Sequence, residues 1–225
     1  MKEQVKHIVI FSHGFGVHKD ALGLFTDIEK EFSLSQIESI LFDYNDYKEE
    51  TKETFVKSFS EQTKILQDVI DTTTHKNPNA IIDIVGHSQG SVMAALADLK
   101  GIRKVISIAP FFHTDIHEVA ERYNKFPESK IDFNGISRRA RSNGTTTVIP
   151  PNYWAERFST DVYALYNKLA LATDLTIINA GEDKVMKGTD LMKVFNATII
   201  NIHGDHDFSK EYRPKLINVL KKVIN

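Results

Sequence analysis

A serine set between two glycines, a later acid and a still later histidine are the groups in this sequence that can do chemistry together. Gly86-His87-Ser88-Gln89-Gly90 fits the pattern Gly-x-Ser-x-Gly. A short apolar run, residues 81–85, precedes it and Val92-Met93-Ala94-Ala95-Leu96 follows, so Ser88 falls where a strand turns sharply into a helix. Flanking glycines let so tight a turn close without a Cβ clash. The helix start offers unpaired N–H groups to a developing negative charge. A serine hydroxyl is a weak nucleophile until a base takes its proton and an acid orients that base.

In a strand–turn–helix architecture of this kind the chain order is serine, acid, histidine. Asp183, in Ala180-Gly181-Glu182-Asp183-Lys184-Val185, is the expected acid, and His206, in His203-Gly204-Asp205-His206-Asp207-Phe208, the expected base. Glu182 and His203 stand beside them as alternatives. Taken singly, Ser88 reads equally as a helix cap, Asp183 as a turn residue and His206 as a polar group opening a helix. Their placement at successive strand ends is what argues for a nucleophile, an acid and a base.

A third strand end supplies Ser12-His13-Gly14-Phe15-Gly16. If the first strand pairs with the one leading to Ser88, the backbone amides of Phe15 and Gln89 form a two-donor oxyanion hole. His13 precedes the nucleophile, which suits a loop-fixing hydrogen bond or a substrate contact better than a base. His18 and His87 read as supporting residues. His113-x-Asp115-x-His117 has metal-like chemistry, but its side chains share a face only in an extended segment and no further ligand is evident. Neither a phosphate-binding nor a dinucleotide-binding glycine motif occurs, so no metal and no cofactor are expected.

Positioning these groups falls to an alternation of short β-branched runs with longer helical periods. Strands are expected at residues 7–11, 37–42, 80–85, 104–108, 175–179 and 197–202. Helices are expected at 19–32, 53–75, 91–100, 154–172, 187–195 and 208–224, with 43–51 as a polar loop. The expectation is an α/β fold, a mostly parallel doubly wound sheet of about six strands, with functional groups at the strands' carboxyl ends. Residues 1–110 and 154–225 form the core, and 111–153 break the rhythm as a cap insertion. Within the insertion, Asn143-Gly144 resembles a hairpin turn. Its rings, Phe111, Phe112, Tyr123, Phe126, Phe133 and Tyr153, with Trp154 at its end, read as an apolar substrate pocket or as the cap's own small core. Phe111, Phe112 and Trp154 are the substrate-contact candidates. Ser137-Arg138-Arg139-Ala140-Arg141 reads as a solvated turn in preference to a carboxylate or phosphate contact.

With 225 residues the chain can bury a full core. Its 28 Lys+Arg against 30 Asp+Glu create no general field for nucleic acid or acidic lipid. The absence of cysteine excludes disulfides, thiolate metal sites and a cysteine nucleophile. No stretch reaches the ~18 apolar residues of a membrane span, and the first residues do not read as a signal peptide. A cytoplasmic protein acting on a small-molecule ester is expected, with no nucleic-acid or membrane partner; nothing indicates the oligomeric state.

His13-Gly14-Phe15-Gly16, the Gly86–Gly90 motif, Asp183 and Gly204-Asp205-His206-Asp207-Phe208 together resemble the α/β-hydrolase superfamily over nearly the whole chain. Within it, the His-Gly-Phe turn, the Gly-His-Ser-Gln-Gly elbow and the insertion after Ala109-Pro110 are similar to small bacterial carboxylesterases of the cinnamoyl/feruloyl-esterase kind. The resemblance implies Ser88 as nucleophile, Asp183 as acid, His206 as base and the Phe15 and Gln89 amides as oxyanion hole. It also implies that the insertion caps the nucleophile. Two features depart from the pattern. Only six residues precede the first strand, so the usual N-terminal antiparallel pair is not expected, and Ala180 stands where glycine is common before the acid, which keeps Glu182 open. The expected activity is that of a serine esterase. A thioesterase, amidase or acyltransferase using the same groups, or a binding protein without turnover, are the alternatives.

Overall fold

The computed structural model describes residues 5–125, 128–186 and 188–225; Phe126 of the insertion's rings and Lys187 at the start of an expected helix lie outside them. The chain begins β1 (His7–Ser12), α1 (Leu24–Leu34), β2 (Ile37–Leu41), β3 (Asp46–Lys48), β4 (Glu53–Phe55), α2 (Phe59–Lys76), β5 (Ile81–His87) and α3 (Gln89–Leu96). It continues with β6 (Lys104–Ile108), α4 (Ile116–Asn124), β7 (Ser137–Ala140), β8 (Thr146–Ile149), α5 (Pro151–Ser159) and α6 (Val162–Ala172). β9 (Asp174–Ala180), β10 (Thr198–Ile202) and α7 (Arg213–Ile224) complete it.

Among the described residues six strands form one sheet in the order β10-β9-β6-β5-β1-β2, each pair parallel. Helices cover both faces, which explains why the central strands read as continuous apolar runs and not as alternations. Ile8 and Ile10 of β1 join Leu66 and Ile70 of α2 and Met93 of α3 on one face. Val9 and Phe11 join Phe25 and Phe32 of α1 and Leu216 and Leu220 of α7 on the other, as the two-residue period of a strand requires. Each such large side chain, fully buried, contributes about 1.5–3 kcal/mol. The register sets Ser12 beside Gly86, so the carboxyl ends of β1 and β5 are neighbours.

Several elements differ from the sequence expectation, each for a local reason. α1 starts at Leu24, because Ala21, Leu22 and Gly23 all take positive φ. Residues 46–48 and 53–55 are strands, and α2 begins only after Ser58, whose hydroxyl accepts from the Glu61 amide while the Glu61 carboxylate accepts from the Ser58 amide. The expected helix over 154–172 is two helices, divided where the Asp161 side chain caps α6. Where a helix was expected at 187–195, the described residues hold a single 3-10 turn, Leu191–Lys193, after Gly188 at φ +88°.

β3 and β4 have a partner far along the chain. β4 pairs in parallel with β8, and β8 pairs with β7 across the Asn143-Gly144 turn, giving a second sheet in the order β3-β4-β8-β7. This sheet lies against the loop after β1: the Arg141 guanidinium donates to the Phe15 carbonyl at 3.2 Å, and a Cβ on Gly16 would meet Thr147 at 3.1 Å. Among the described residues no helix is long and apolar enough to cross a membrane.

Candidate active site

β5 ends at His87 and α3 begins at Gln89, leaving Ser88 alone in the turn with φ 52° and ψ −121°. A β-carbon is rarely found at so positive a φ, and such strain persists where the surroundings enforce it. Here they do: a Cβ on Gly90 would overlap the Ser12 carbonyl oxygen, and one on Gly86 would lie 2.8 Å from Ser91 Cα. The two glycines are therefore steric necessities, and they let β1 and α3 press the turn from both sides.

The Ser88 hydroxyl lies 2.9 Å from His206 Nε2, and His206 Nδ1 lies 2.6 Å from Asp183 Oδ2. The carboxylate accepts the Nδ1 proton, so Nε2 presents a lone pair to the serine. Asp183 Oδ1 accepts the amides of Val185 and Met186 at 2.7 and 2.9 Å. Burial alone would raise the Asp183 carboxyl, but the hydrogen bonds from His206 and the two amides override it and hold the group below its ordinary value. Glu182 points elsewhere, accepting from the Tyr212 hydroxyl at 3.0 Å and lying 3.5 Å from His203.

The turn after β1 supplies the facing backbone. A Cβ on Gly14 would touch Ser88 Cβ at 3.3 Å, which measures how near that turn comes. Among the described residues neither the Phe15 nor the Gln89 amide donates a hydrogen bond, and the Gln89 amide opens α3, where unpaired N–H groups are the rule. Both are thus free to receive negative charge.

The remaining candidates divide. His13 is fully buried; its Nδ1 donates to the Gly14 carbonyl at 2.9 Å and its Nε2 accepts the Tyr44 amide at 3.0 Å. Burial drives its pKa down to about 4, so it is a neutral strut in the turn and does not line the site. Phe111 lines the pocket beside Ser88, whereas Phe112 packs on Tyr163 and Tyr166. Trp154 is fully buried, with its indole N–H on the Ser137 hydroxyl at 3.0 Å, among Tyr123, Phe133 and Phe158. It is part of the same hydrophobic core as Ile8, Ile10 and Leu66 and does not line the pocket. His113 pairs with Glu118, and Asp115 caps α4, so these side chains serve the helix start and do not converge on a metal.

The supporting role expected of His87 takes a definite form, and further features had no counterpart in the expectation. His87 Nε2 donates to the His206 main-chain carbonyl at 2.9 Å, which fixes the loop carrying His206; burial and the neighbouring His206 ring hold its pKa down to about 4. His87, His206 and Asp207 bring ligand-type atoms within 4.8 Å of one another, yet both histidine Nε2 atoms already have partners in this arrangement. The Gln89 side chain donates to Gln62 at 2.9 Å and accepts from the Tyr153 hydroxyl at 2.7 Å, tying the turn to α2 and α5. Lastly, the pocket over Ser88, about 240 Å³, is lined by Arg122, Arg139, Arg141 and Arg157. The segment over 137–141 is therefore a strand facing the site and not a solvated turn. Its two-residue spacing put Arg139 and Arg141 on one face; no sequence signal tied Arg122 or Arg157 to them.

A family model described as palmitoyl protein thioesterase matches residues 8–205. The chain resembles the solved structure of Est1E from Butyrivibrio proteoclasticus at TM-score 0.71 and 16% identity, covering 99% of this chain and 88% of that one. It resembles the esterase EaEST from Exiguobacterium antarcticum at TM-score 0.69 and 12% identity, covering 98% and 92%. A peroxisomal alpha-beta-hydrolase, Lpx1 from Saccharomyces cerevisiae, matches at TM-score 0.64 and 13% identity, over 98% and 76%. At these identities the likeness is one of fold, and the fold is that of the α/β-hydrolases. No curated protein sequence matches the chain.

Proposed function

The chain belongs to the palmitoyl protein thioesterase family, and from that membership and the Ser88–His206–Asp183 geometry we propose that it is a serine hydrolase cleaving small carboxylic esters. The observation that carries the proposal is the position of His206, with one ring nitrogen on the nucleophile and the other on a buried carboxylate. Ser88 Oγ attacks the ester carbonyl while His206 Nε2 takes the hydroxyl proton. The carbonyl oxygen becomes an oxyanion held by the Phe15 and Gln89 amides. Collapse breaks the bond to the alkoxy group, which leaves with the proton from His206. Water then enters, gives a proton to His206 and attacks the acyl-enzyme, and Ser88 recovers its proton as the acid departs. No cofactor takes part in this sequence.

Residues 111–153 serve as a cap in this reading, joined by the strands over 46–55. A pocket of about 240 Å³ lies below the ~300–1,000 Å³ of sites for drug-sized ligands, which favours a short acyl or alcohol group. The family description gives specific support to a second reading, a thioester in place of the ester, with a thiolate leaving. The same machinery suits both, and fold alone does not choose between them.

The test is a fluorophosphonate probe followed by mass spectrometry of the labelled residue. Labelling at Ser88, absent from Ser88→Ala, is the expected result, together with a loss of ester turnover of about 10⁴-fold or more in that variant. Full turnover by Ser88→Ala refutes the mechanism. Folded protein that binds ligand without acylation is a binding protein built on a hydrolase fold. Matched ester, thioester and amide substrates then decide the leaving group.

A further inference from the structure

Four guanidinium groups converge on the pocket over Ser88 from three separate elements: Arg122 from α4, Arg139 and Arg141 from β7 and its extension, and Arg157 from α5. Aromatic rings hold them in place. The Arg139 guanidinium lies 4.4 Å from the Tyr123 ring centre, that of Arg141 5.7 Å from Phe15, and that of Arg157 4.6 Å from Phe111. Among the described residues Arg122, Arg141 and Arg157 form no ion pair with a carboxylate. Their partners are carbonyls and hydroxyls: Val185 for Arg122, Phe15 and Thr147 for Arg141, and His113, Tyr153 and Tyr123 for Arg157. Of the carboxylates whose charge acts on these arginines, Asp183 is already engaged by His206 and Asp207 lines the same pocket.

Burying a charge without a counter-charge is among the costliest arrangements a protein adopts. Arg157 is only 3% exposed, and its Nε is buried without any hydrogen-bond partner. Burial and, after it, the charge of Arg139 hold Arg141 down to about 10. A long apolar acyl chain would desolvate these groups further and give nothing in return, whereas an anion with several oxygens would satisfy them together.

We propose that this arginine cluster is an anion subsite, and that the substrate carries a carboxylate or phosphate seated on it while its ester or thioester carbonyl lies at Ser88. The inference rests on the hydrolase reading for the bond cleaved, and on the arginines for the anion.

Two matched pairs test it. One compares 4-nitrophenyl hexanoate with the mono-4-nitrophenyl ester of adipic acid, placing a carboxylate on the acyl side. The other compares phenyl acetate with 4-acetoxyphenyl phosphate, placing a phosphate on the leaving group. The expected result is a kcat/KM about 10-fold or more higher for the anionic member of at least one pair, since bonds to charged groups are the strong ones. That ratio falls about 10-fold in Arg139→Gln and Arg141→Gln and recovers partly in Arg141→Lys. Independently of turnover, calorimetry on Ser88→Ala with adipate and with inorganic phosphate shows saturable binding that weakens in the Arg141→Gln background. Equal rates within both pairs and no binding of either anion overturn the subsite, while hexanoate turnover and Ser88 labelling keep the hydrolase reading intact. Anion binding with no ester turnover by the wild type supports the subsite and removes the hydrolase reading instead.

Discussion

Replacing Asp183 with asparagine preserves shape and inverts the proton logic of the site. The Asp183 carboxylate uses one oxygen for the Val185 and Met186 amides at 2.7 and 2.9 Å and the other for His206 Nδ1 at 2.6 Å. An asparagine side chain keeps its carbonyl oxygen on the two amides, because turning it over sets an NH₂ group against two N–H donors. That reversal forfeits two hydrogen bonds of about 0.5–1.5 kcal/mol each and leaves the amides unpaired. The NH₂ group therefore faces His206 Nδ1, which must accept, and the ring proton moves to Nε2, against Ser88. The base then has no lone pair for the serine proton. A tautomer inversion of this kind costs about 10⁴-fold in turnover, or about 5.5 kcal/mol at about 1.36 kcal/mol per tenfold. Initial rates on 4-nitrophenyl butyrate at neutral pH measure it, with Glu182→Gln as the control. That variant is expected within about twofold of wild type, since Glu182 touches Tyr212 and His203 but not His206. An Asp183→Asn protein that folds and keeps more than a tenth of the rate refutes the tautomer argument. A collapse in Glu182→Gln moves the acid to Glu182.

Gly90→Ala forces a methyl group into the Ser12 carbonyl, a backbone atom that cannot swing away. Overpacking of that kind costs about 1–3 kcal/mol, expected as a fall in Tm of about 2–4 °C per kcal/mol; an unchanged Tm contradicts the steric account. Asp83, fully buried, accepts from His7 and Arg103. Burial would raise its carboxyl, but those two partners hold it below the ordinary value. Its contribution to stability is thus complete above the ordinary carboxylate value and lost as pH falls through the folded one. Asp83→Asn is expected to cost about 1–3 kcal/mol at neutral pH, with the Tm difference from wild type shrinking in acid; a gap that widens in acid contradicts the sign. His87→Phe removes the N–H that holds the His206 carbonyl and is expected to lower kcat about 2–10-fold, the worth of one neutral hydrogen bond. A KM change at constant kcat would place His87 in substrate contact and not in positioning.

The parts of the site that are local could be seen in the residue order. Ser88 is announced by the two glycines its turn cannot do without, and the serine–acid–histidine order follows from strands laid in parallel by crossover helices. The six core strands showed as apolar runs because both faces of the sheet are covered. Residues 46–48 and 53–55 gave no such signal, being three-residue strands with polar composition whose stability comes from partners elsewhere. Helix ends set by positive φ at Ala21 and Leu22 were equally hidden, since neither residue favours that region by itself.

What the chain indicated by itself is the strand ends that carry Ser88, His206 and the Glu182-Asp183 pair, because each depends on a turn that neighbouring residues dictate; it was the tertiary structure that set Asp183, and not Glu182, against His206. What the tertiary structure decided is the character of the pocket. The pairing of Glu53 with Thr146, and of Arg139 with Thr147, sets which side chains of β7 face Ser88. Shifting that register by one residue would send Arg139 and Arg141 outward and bring Arg138, now paired with Glu53, inward. The short Asn143-Gly144 turn sets the β7–β8 register locally, but the pairing of β4 with β8 joins segments far apart in the chain, and no run of neighbours encodes that docking.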